Sequence, residues 1–285
     1  MSGTKRVAFA DYHLDNFHAN LYIRQMRETL AGRGFDVTGC HAIMAAEGRE
    51  WAAKNNVPYY DDPAEMNRAA DYFMVLAPSN PETHLELARM VVPFGKPTYV
   101  DKTFAPDLAA ATEIFSLADK HGTPLQTSSA LRYTNIQTAA SEMGKILHMA
   151  AWGAGSSFGE YAIHAVEMLV SCMGPDARSV MRRGQGDHSQ LLVNYAGGRT
   201  AVVNVYCNAA TPFAAVLTSA KETRLVPQEG DLFLEFLKAQ LDFFDSGKAA
   251  IDRRESLMIR QILDAADDPA ALKDFVPLDT GSLTP

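Results

Sequence analysis

Apolar residues recur along this chain with two periods, and the pattern changes near residue 128. Residues 6–10 (RVAFA) are a short apolar run after a charged start and predict a buried first strand. Residues 16–32 place Phe17, Leu21, Ile23, Met26 and Leu30 at helical spacing, closed by Gly32 and Gly34. A second strand over 35–40, a helix over 45–54 and a weaker helix over 63–69 follow. Residues 72–77 (YFMVLA) predict a strongly apolar strand. The turn 78–84 (PSNPETH) opens a helix from Glu82, with Pro81 and an acidic first turn where a helix start accepts them. Residues 95–100 read as a turn and strand, 107–121 as an amphipathic helix ended by Gly122, and 123–128 as a further strand. This alternation is the pattern of a doubly wound α/β domain with a parallel sheet.

Beyond residue 128 the strands cluster. A helix over 134–143, a strand over 145–152 and a helix over 160–173 precede five β-rich runs, at 178–183, 190–196, 199–207, 214–220 and 223–227. Gly197-Gly198 reads as a hairpin turn between two of them. Helices over 231–246 and 253–266 close the chain. Strands that follow one another without helices imply an antiparallel sheet, hence an α+β domain. The expected division is 1–128 and 129–285.

Composition narrows the function classes. The 285 residues include 26 Lys and Arg against 34 Asp and Glu, a net charge of −8. Nucleic acid and anionic membrane surfaces call for clustered positive charge, so neither is an expected partner. Cys40, Cys172 and Cys207 are far apart and form no CxxC pair, which speaks against a disulfide framework and fits a reducing, cytoplasmic setting. The start MSGTKRVAFADYH has no apolar signal core, and no run of 18 apolar residues occurs.

Three motifs carry candidate chemistry. Ala77-Pro78-Ser79-Asn80 is followed by His84. Gly95-Lys96-Pro97 leads to Asp101-Lys102-Thr103. The segment GAGSSFGEYAIHAVE sets Glu160 four residues before His164. Together these resemble the glucose–fructose oxidoreductase/inositol dehydrogenase (Gfo/Idh/MocA) family, whose corresponding motifs are T-P-x-x-x-H, G-K-x-V-x-E-K-P and G-G-G-x-x-x-D-x-x-x-H. The order of elements matches over most of the chain, although a long insert usual before the third motif is missing between Trp152 and Gly155.

The resemblance implies a Rossmann-like doubly wound domain over 1–128. It also implies an α+β domain with a largely antiparallel open sheet over 129–285, for substrate binding and homo-oligomerisation. It implies an NAD- or NADP-dependent oxidoreductase acting on a hydroxyl or carbonyl of a sugar, polyol or related small molecule. By similarity, Lys102 bonds to or protonates the reacting oxygen, His164 is the acid/base, and Glu160 binds substrate or orients His164. Ala10, Asp11, Tyr12, Pro78, Asn80 and Asp101 fall on cofactor-binding positions, and Arg132 and Tyr133 on substrate-binding ones. The chemistry is coherent. Reaction at an alcohol needs a proton acceptor and a cation to stabilise the oxyanion.

The first crossover departs from this pattern. A dinucleotide-binding turn uses G-x-G-x-x-G so that backbone can approach the diphosphate. Residues 10–19 here are ADYHLDNFHA, without a glycine. Tyr12 and His13 add bulk, and Asp11 and Asp15 add like charge. The second strand ends in Gly39-Cys40-His41-Ala42, with neither the usual ribose-binding acid nor an arginine. Three readings stand at this point: a dehydrogenase with an altered cofactor loop; a cofactor-independent enzyme of elimination, hydration or isomerisation; and a non-catalytic partner subunit. His13, Asp15, His18 and His41 match no known metal-ligand spacing and read as local hydrogen-bonding groups, so no metal is expected.

Overall fold

The five apolar runs of the first half are continuous rather than alternating, as strands covered on both faces are. In the computed structural model, which describes residues 3–279 and Gly281, they form one parallel sheet. Its strands are β1 (Lys5–Asp11), β2 (Phe35–Ala42), β3 (Tyr72–Val75), β4 (Thr98–Val100) and β5 (Leu125–Thr127), in the order β2-β1-β3-β4-β5. Val7–Ala10 and Phe73–Leu76 are fully buried at its centre. The strand order reverses at β1, so the crossover leaving its carboxyl end lies at the switch point where open α/β sheets bind ligands.

Helices α1 (Phe17–Arg27), α2 (Ala45–Asn55), α3 (Pro63–Ala69), α4 (His84–Val91) and α5 (Leu108–His121) connect these strands. Asn16, Asp62 and Asp107 cap α1, α3 and α5, each accepting a backbone N–H of the first turn. The helix expected over 16–32 stops at Arg27. A short 3₁₀ turn and left-handed Gly34 (φ 75°) then turn the chain into β2.

The second half begins with α6 (Asn135–Met143), β6 (Ile146–Gly155) and α7 (Phe158–Met173). There follow β7 (Ala177–Gln185), β8 (His188–Tyr195), β9 (Thr200–Cys207), β10 (Ala214–Ser219) and β11 (Thr223–Pro227). Helices α8 (Leu232–Ser246) and α9 (Arg253–Asp267) and the short β12 (Val276–Pro277) complete the described chain. The sheet order is β11-β10-β6-β9-β8-β7-β12. Every pair is antiparallel except β6 with β9. Gly197 and Gly198 both take positive φ (73° and 75°) in the β8–β9 turn, a conformation glycine adopts without strain. The Rossmann-like first unit and the mostly antiparallel second unit are the architecture the sequence implies.

One segment crosses the sequence-based division. Residues 237–251 group with the residues up to Ser128, and the second unit is Ser129–Phe236 with the chain from Asp252 onward. The reason is packing. Leu237, Leu241 and Phe244 are buried. The Phe244 ring stacks on Tyr72 at 4.9 Å, and Gln240 bonds to Gln126 at 3.0 Å. No helix among the described residues is long and apolar enough to cross a membrane.

Candidate functional site

In the first unit the site is built around the carboxyl ends of β1, β3 and β4. Asp11 ends β1 and is fully buried. Its Oδ1 accepts the N–H of His13 (3.2 Å) and of Ala77 (2.9 Å), and its Oδ2 accepts Asn16 Nδ2 (2.8 Å). Burial pushes its carboxyl up to about 7, against the pull of those three donors. Asn16 also donates to the His13 carbonyl (2.8 Å) and accepts the Ala19 N–H (3.0 Å), so the loop and the start of α1 bind each other. Ala10 is buried inside β1, and the Tyr12 carbonyl accepts the N–H of Met44.

Ala77 has φ 55°, unusual for a residue with a side chain, and leads into the turn at Pro78. The Nε2–H of buried His84 donates to the carbonyls of Leu76 (2.6 Å) and Ala77 (3.1 Å), and burial keeps its ring toward the neutral form. The Asn80 N–H closes the turn onto Ala77, and its side chain goes to Glu82. The Pro78 carbonyl receives Lys102 Nζ at 2.9 Å, on a side chain that is almost wholly buried. Asp101 lies beside Lys102, fully enclosed. It binds the His18 ring, the Tyr99 hydroxyl (2.9 Å) and the Lys102 N–H (2.8 Å). Burial alone would raise the Asp101 carboxyl, but His18, Lys102 and Tyr99 hold it below the usual carboxylate range.

In the second unit Glu160 and His164 share α7 and are both half-buried. Ser157 caps this helix at the Glu160 N–H. The hydroxyl of fully buried Ser129 meets His164 Nδ1 at 2.7 Å, and the rings of Tyr161 and Phe213 flank the imidazole. Sequence reasoning missed Ser129. Its only signal was a serine pair just after the last strand of the first unit. Gly155 allows this helix to close on β6, because a Cβ there would lie 1.9 Å from Tyr161 Cγ. Arg132 is directed at two carboxylates of its own unit, Glu167 and Glu255, the latter at 2.6 Å. Burial raises the Glu167 carboxyl even beside that guanidinium. The Tyr133 ring packs edge-on to Phe236. Asp11, Pro78, Asp101 and Lys102 are thus brought together in the first unit, and Ser129, Glu160 and His164 in the second.

A dinucleotide diphosphate at a β1–α1 crossover needs small residues and backbone N–H groups turned toward it. Here the His13 N–H is taken by Asp11 and the Ala19 N–H by Asn16. A cavity of about 280 Å³ against this loop is lined by His13, Asp15, Glu47, Glu50, Trp51 and Lys54, three carboxylates to one lysine. At the end of β2, His41 bonds to the Tyr60 carbonyl and the Tyr59 hydroxyl to the Ala42 carbonyl. These residues do not fit a diphosphate. Among the described residues no group of three His, Cys, Asp or Glu is arranged to hold a metal ion.

Comparison with known proteins bears on the same unit. Residues 13–129 match the family described as an oxidoreductase family with an NAD-binding Rossmann fold, Gfo/Idh/MocA. No match is found among curated proteins. A probable dehydrogenase from Thermotoga maritima superposes with a TM-score of 0.82 at 15% identity, over 98% of this chain and all of that one. The myo-inositol dehydrogenase of Lactobacillus casei, solved with NAD(H) and myo-inositol, gives 0.82 at 12% identity over 97% of each chain. The myo-inositol 2-dehydrogenase of Lactobacillus plantarum gives 0.79 at 12% identity, over 97% of this chain and 100% of that one. Residues 13–129 thus resemble the Rossmann unit of the Gfo/Idh/MocA oxidoreductases, and the chain as a whole has the same two-unit α/β fold as these solved structures.

Proposed function

We propose that the chain is an oxidoreductase acting on a hydroxyl or carbonyl of a sugar, polyol or related small molecule, with Lys102 and His164 as its proton-transfer groups. The supporting observation is the seating of Lys102. Its ammonium is fixed on the Pro78 carbonyl at the strand ends where such sheets bind ligands. Chemistry at an alcohol or its ketone needs a group that takes or returns the oxygen's proton, and a cation that stabilises the oxyanion. Lys102 supplies the cation and His164, oriented by Ser129, the proton carrier. Glu160, one turn before His164 on α7, binds substrate hydroxyls or orients the imidazole. Tyr133 belongs to the substrate side, and Arg132 acts there through the carboxylates it holds. In this reading the redox partner is NAD or NADP, the protein works in the cytoplasm, and it assembles as a homo-oligomer.

A second reading is favoured by one observation, the Asp11 carboxylate inside the crossover. It keeps the sugar-like substrate and the same two residues but needs no dinucleotide: elimination, hydration or isomerisation next to a carbonyl. Lys102 and His164 suffice for that proton abstraction.

The test is turnover of a panel of polyols and keto-sugars, followed both by nicotinamide absorbance and by loss of the sugar. Lys102→Ala and His164→Ala are each expected to lower turnover about a hundredfold. Activity that survives both substitutions removes these residues from the mechanism. Sugar loss without any nicotinamide signal selects the second reading.

A further inference from the structure

We infer that Asp11 is a built-in anion: its carboxylate occupies, from within the chain, the donors with which a β1–α1 crossover holds a phosphate-bearing ligand, so that this crossover is closed to dinucleotide diphosphates. The inference does not depend on the roles given to Lys102 and His164, and it favours the second, dinucleotide-free reading over the one with NAD or NADP as redox partner.

The geometry is that of an anion site already filled. Asp11 is fully enclosed and receives three donors from three directions: the His13 N–H from the loop, the Asn16 amide from the helix cap, and the Ala77 N–H from the end of β3. One of these, the His13 N–H, is a backbone donor of the crossover itself, the kind that holds a phosphate at such a turn, and the Ala77 N–H adds a second from the end of β3. The remaining access is unfavourable as well. Asn16 caps the first turn of α1, which leaves less of its N-terminal dipole for an outside anion. Asp15, Glu47 and Glu50 line the cavity against the loop, with Lys54 as its single lysine. An incoming diphosphate meets like charge on both sides of the loop wall: the enclosed Asp11, and the exposed Asp15, Glu47 and Glu50, whose repulsion water screens.

The same carboxylate does organising work that a bound ligand would otherwise do. Through the Ala77 N–H it fixes the left-handed residue that sets the Pro78 turn, and Pro78 seats Lys102. The turn is therefore formed by the chain itself. This also accounts for the missing glycines. A loop that closes on its own aspartate has no need of close approach by a ligand, so Tyr12, His13 and Leu14 are accommodated.

The experiment is calorimetric titration of the full chain at pH 8, above the value of about 7 to which burial pushes Asp11. The probes are NADH, NADPH, ADP and inorganic pyrophosphate. Wild type is expected to bind none of them with a Kd below ~1 mM, a binding free energy of only about 4 kcal/mol. Asp11→Asn keeps an acceptor for the His13 and Ala77 N–H groups, removes the charge, and gives up the bond accepted from the Asn16 amide. It is expected to bind ADP and pyrophosphate at least about tenfold more tightly than wild type. Asp11→Gly, which also empties the space, should gain more. Micromolar binding of NADH or NADPH by wild type overturns the inference, and so does release of either from denatured purified protein. An Asp11→Asn variant that binds no better than wild type overturns it too. If a variant does not fold, the wild-type titration still decides. Failure of the Lys102 and His164 assignment appears in turnover and leaves these affinities unchanged.

Discussion

Asp11 and Asp101 are both carboxylates that water does not reach, with three strands between them in sequence, and their surroundings push them in opposite directions. Asp11 is raised from 3.8 to about 7 because burial outweighs its three donors. Asp101 is lowered because His18, Lys102 and Tyr99 together outweigh burial. For Asp11 the folded protein binds more protons than the unfolded chain between about pH 4 and pH 7. Its contribution therefore falls as pH rises through that window and is flat above it, by at most ~4 kcal/mol. Asp101 contributes stability above its unfolded value that is lost on further acidification. Urea midpoints measured across pH 4 to 8 (a range on the order of the shift itself) are expected to show a decline that Asp11→Asn makes shallower, the raised Glu167 carboxyl keeping its own share; an identical slope in the variant would remove Asp11 as a source. None of this is readable from residue order. The sequence shows acidic residues near a crossover, but not that Ala77, 66 positions later, supplies a donor to one of them.

Elements were far more legible than their interiors. The apolar runs are short and sharply bounded by Gly, Pro and Asn, so strands and helices in both units lie within a few residues of their expected limits. The parallel β6–β9 pair and the return of 237–251 to the first unit were not visible, because both depend on which distant surface an element meets. The functional motif of the second unit illustrates the same division. The spacing of Glu160 and His164 is plain in the sequence, whereas Ser129, which meets His164, becomes apparent only when the chain is folded. Gly155 joins these levels. With a Cβ there only 1.9 Å from Tyr161 Cγ, Gly155→Ala must displace the first turn of α7 or the strand beneath it. The expected cost is about 1–3 kcal/mol or more, the range of overpacked cores, read as a fall in melting temperature. Turnover should drop more than stability, since His164 rides on the displaced helix. A variant with wild-type stability and turnover would show that Tyr161 can move aside freely.

At the scale of the whole molecule the open face of the second sheet carries the next expectation. Val216, Ala150, Val202, Leu192 and Met181 are cross-strand neighbours on five adjacent strands, and all are half-exposed. The opposite residues of the same strands, among them Ala151, Val203 and Leu191, are buried against the unit's own interior. An apolar row of this kind suits a second copy of the chain, consistent with the homo-oligomer proposed above. Light scattering on a sizing column is expected to report an oligomer for wild type and a smaller species for Val202→Arg. A monomeric wild type would end the proposal. The sequence hinted at this face, since the run over 199–207 has apolar residues on both sides.

The buried carboxylate of Asp101 also has a consequence for motion. It is held at once by His18 on α1, by Tyr99 on its own strand and by the backbone of Lys102. A fluctuation that frees the first turn of α1 strands a charge away from water, and so must carry the 101–103 segment with it. Amide hydrogen exchange is therefore expected to find these two stretches opening together with one free energy, and His18→Ala to let the helix turn fray on its own while the strand end stays protected. Lys102 would then owe its stillness to a helix that begins more than eighty residues before it.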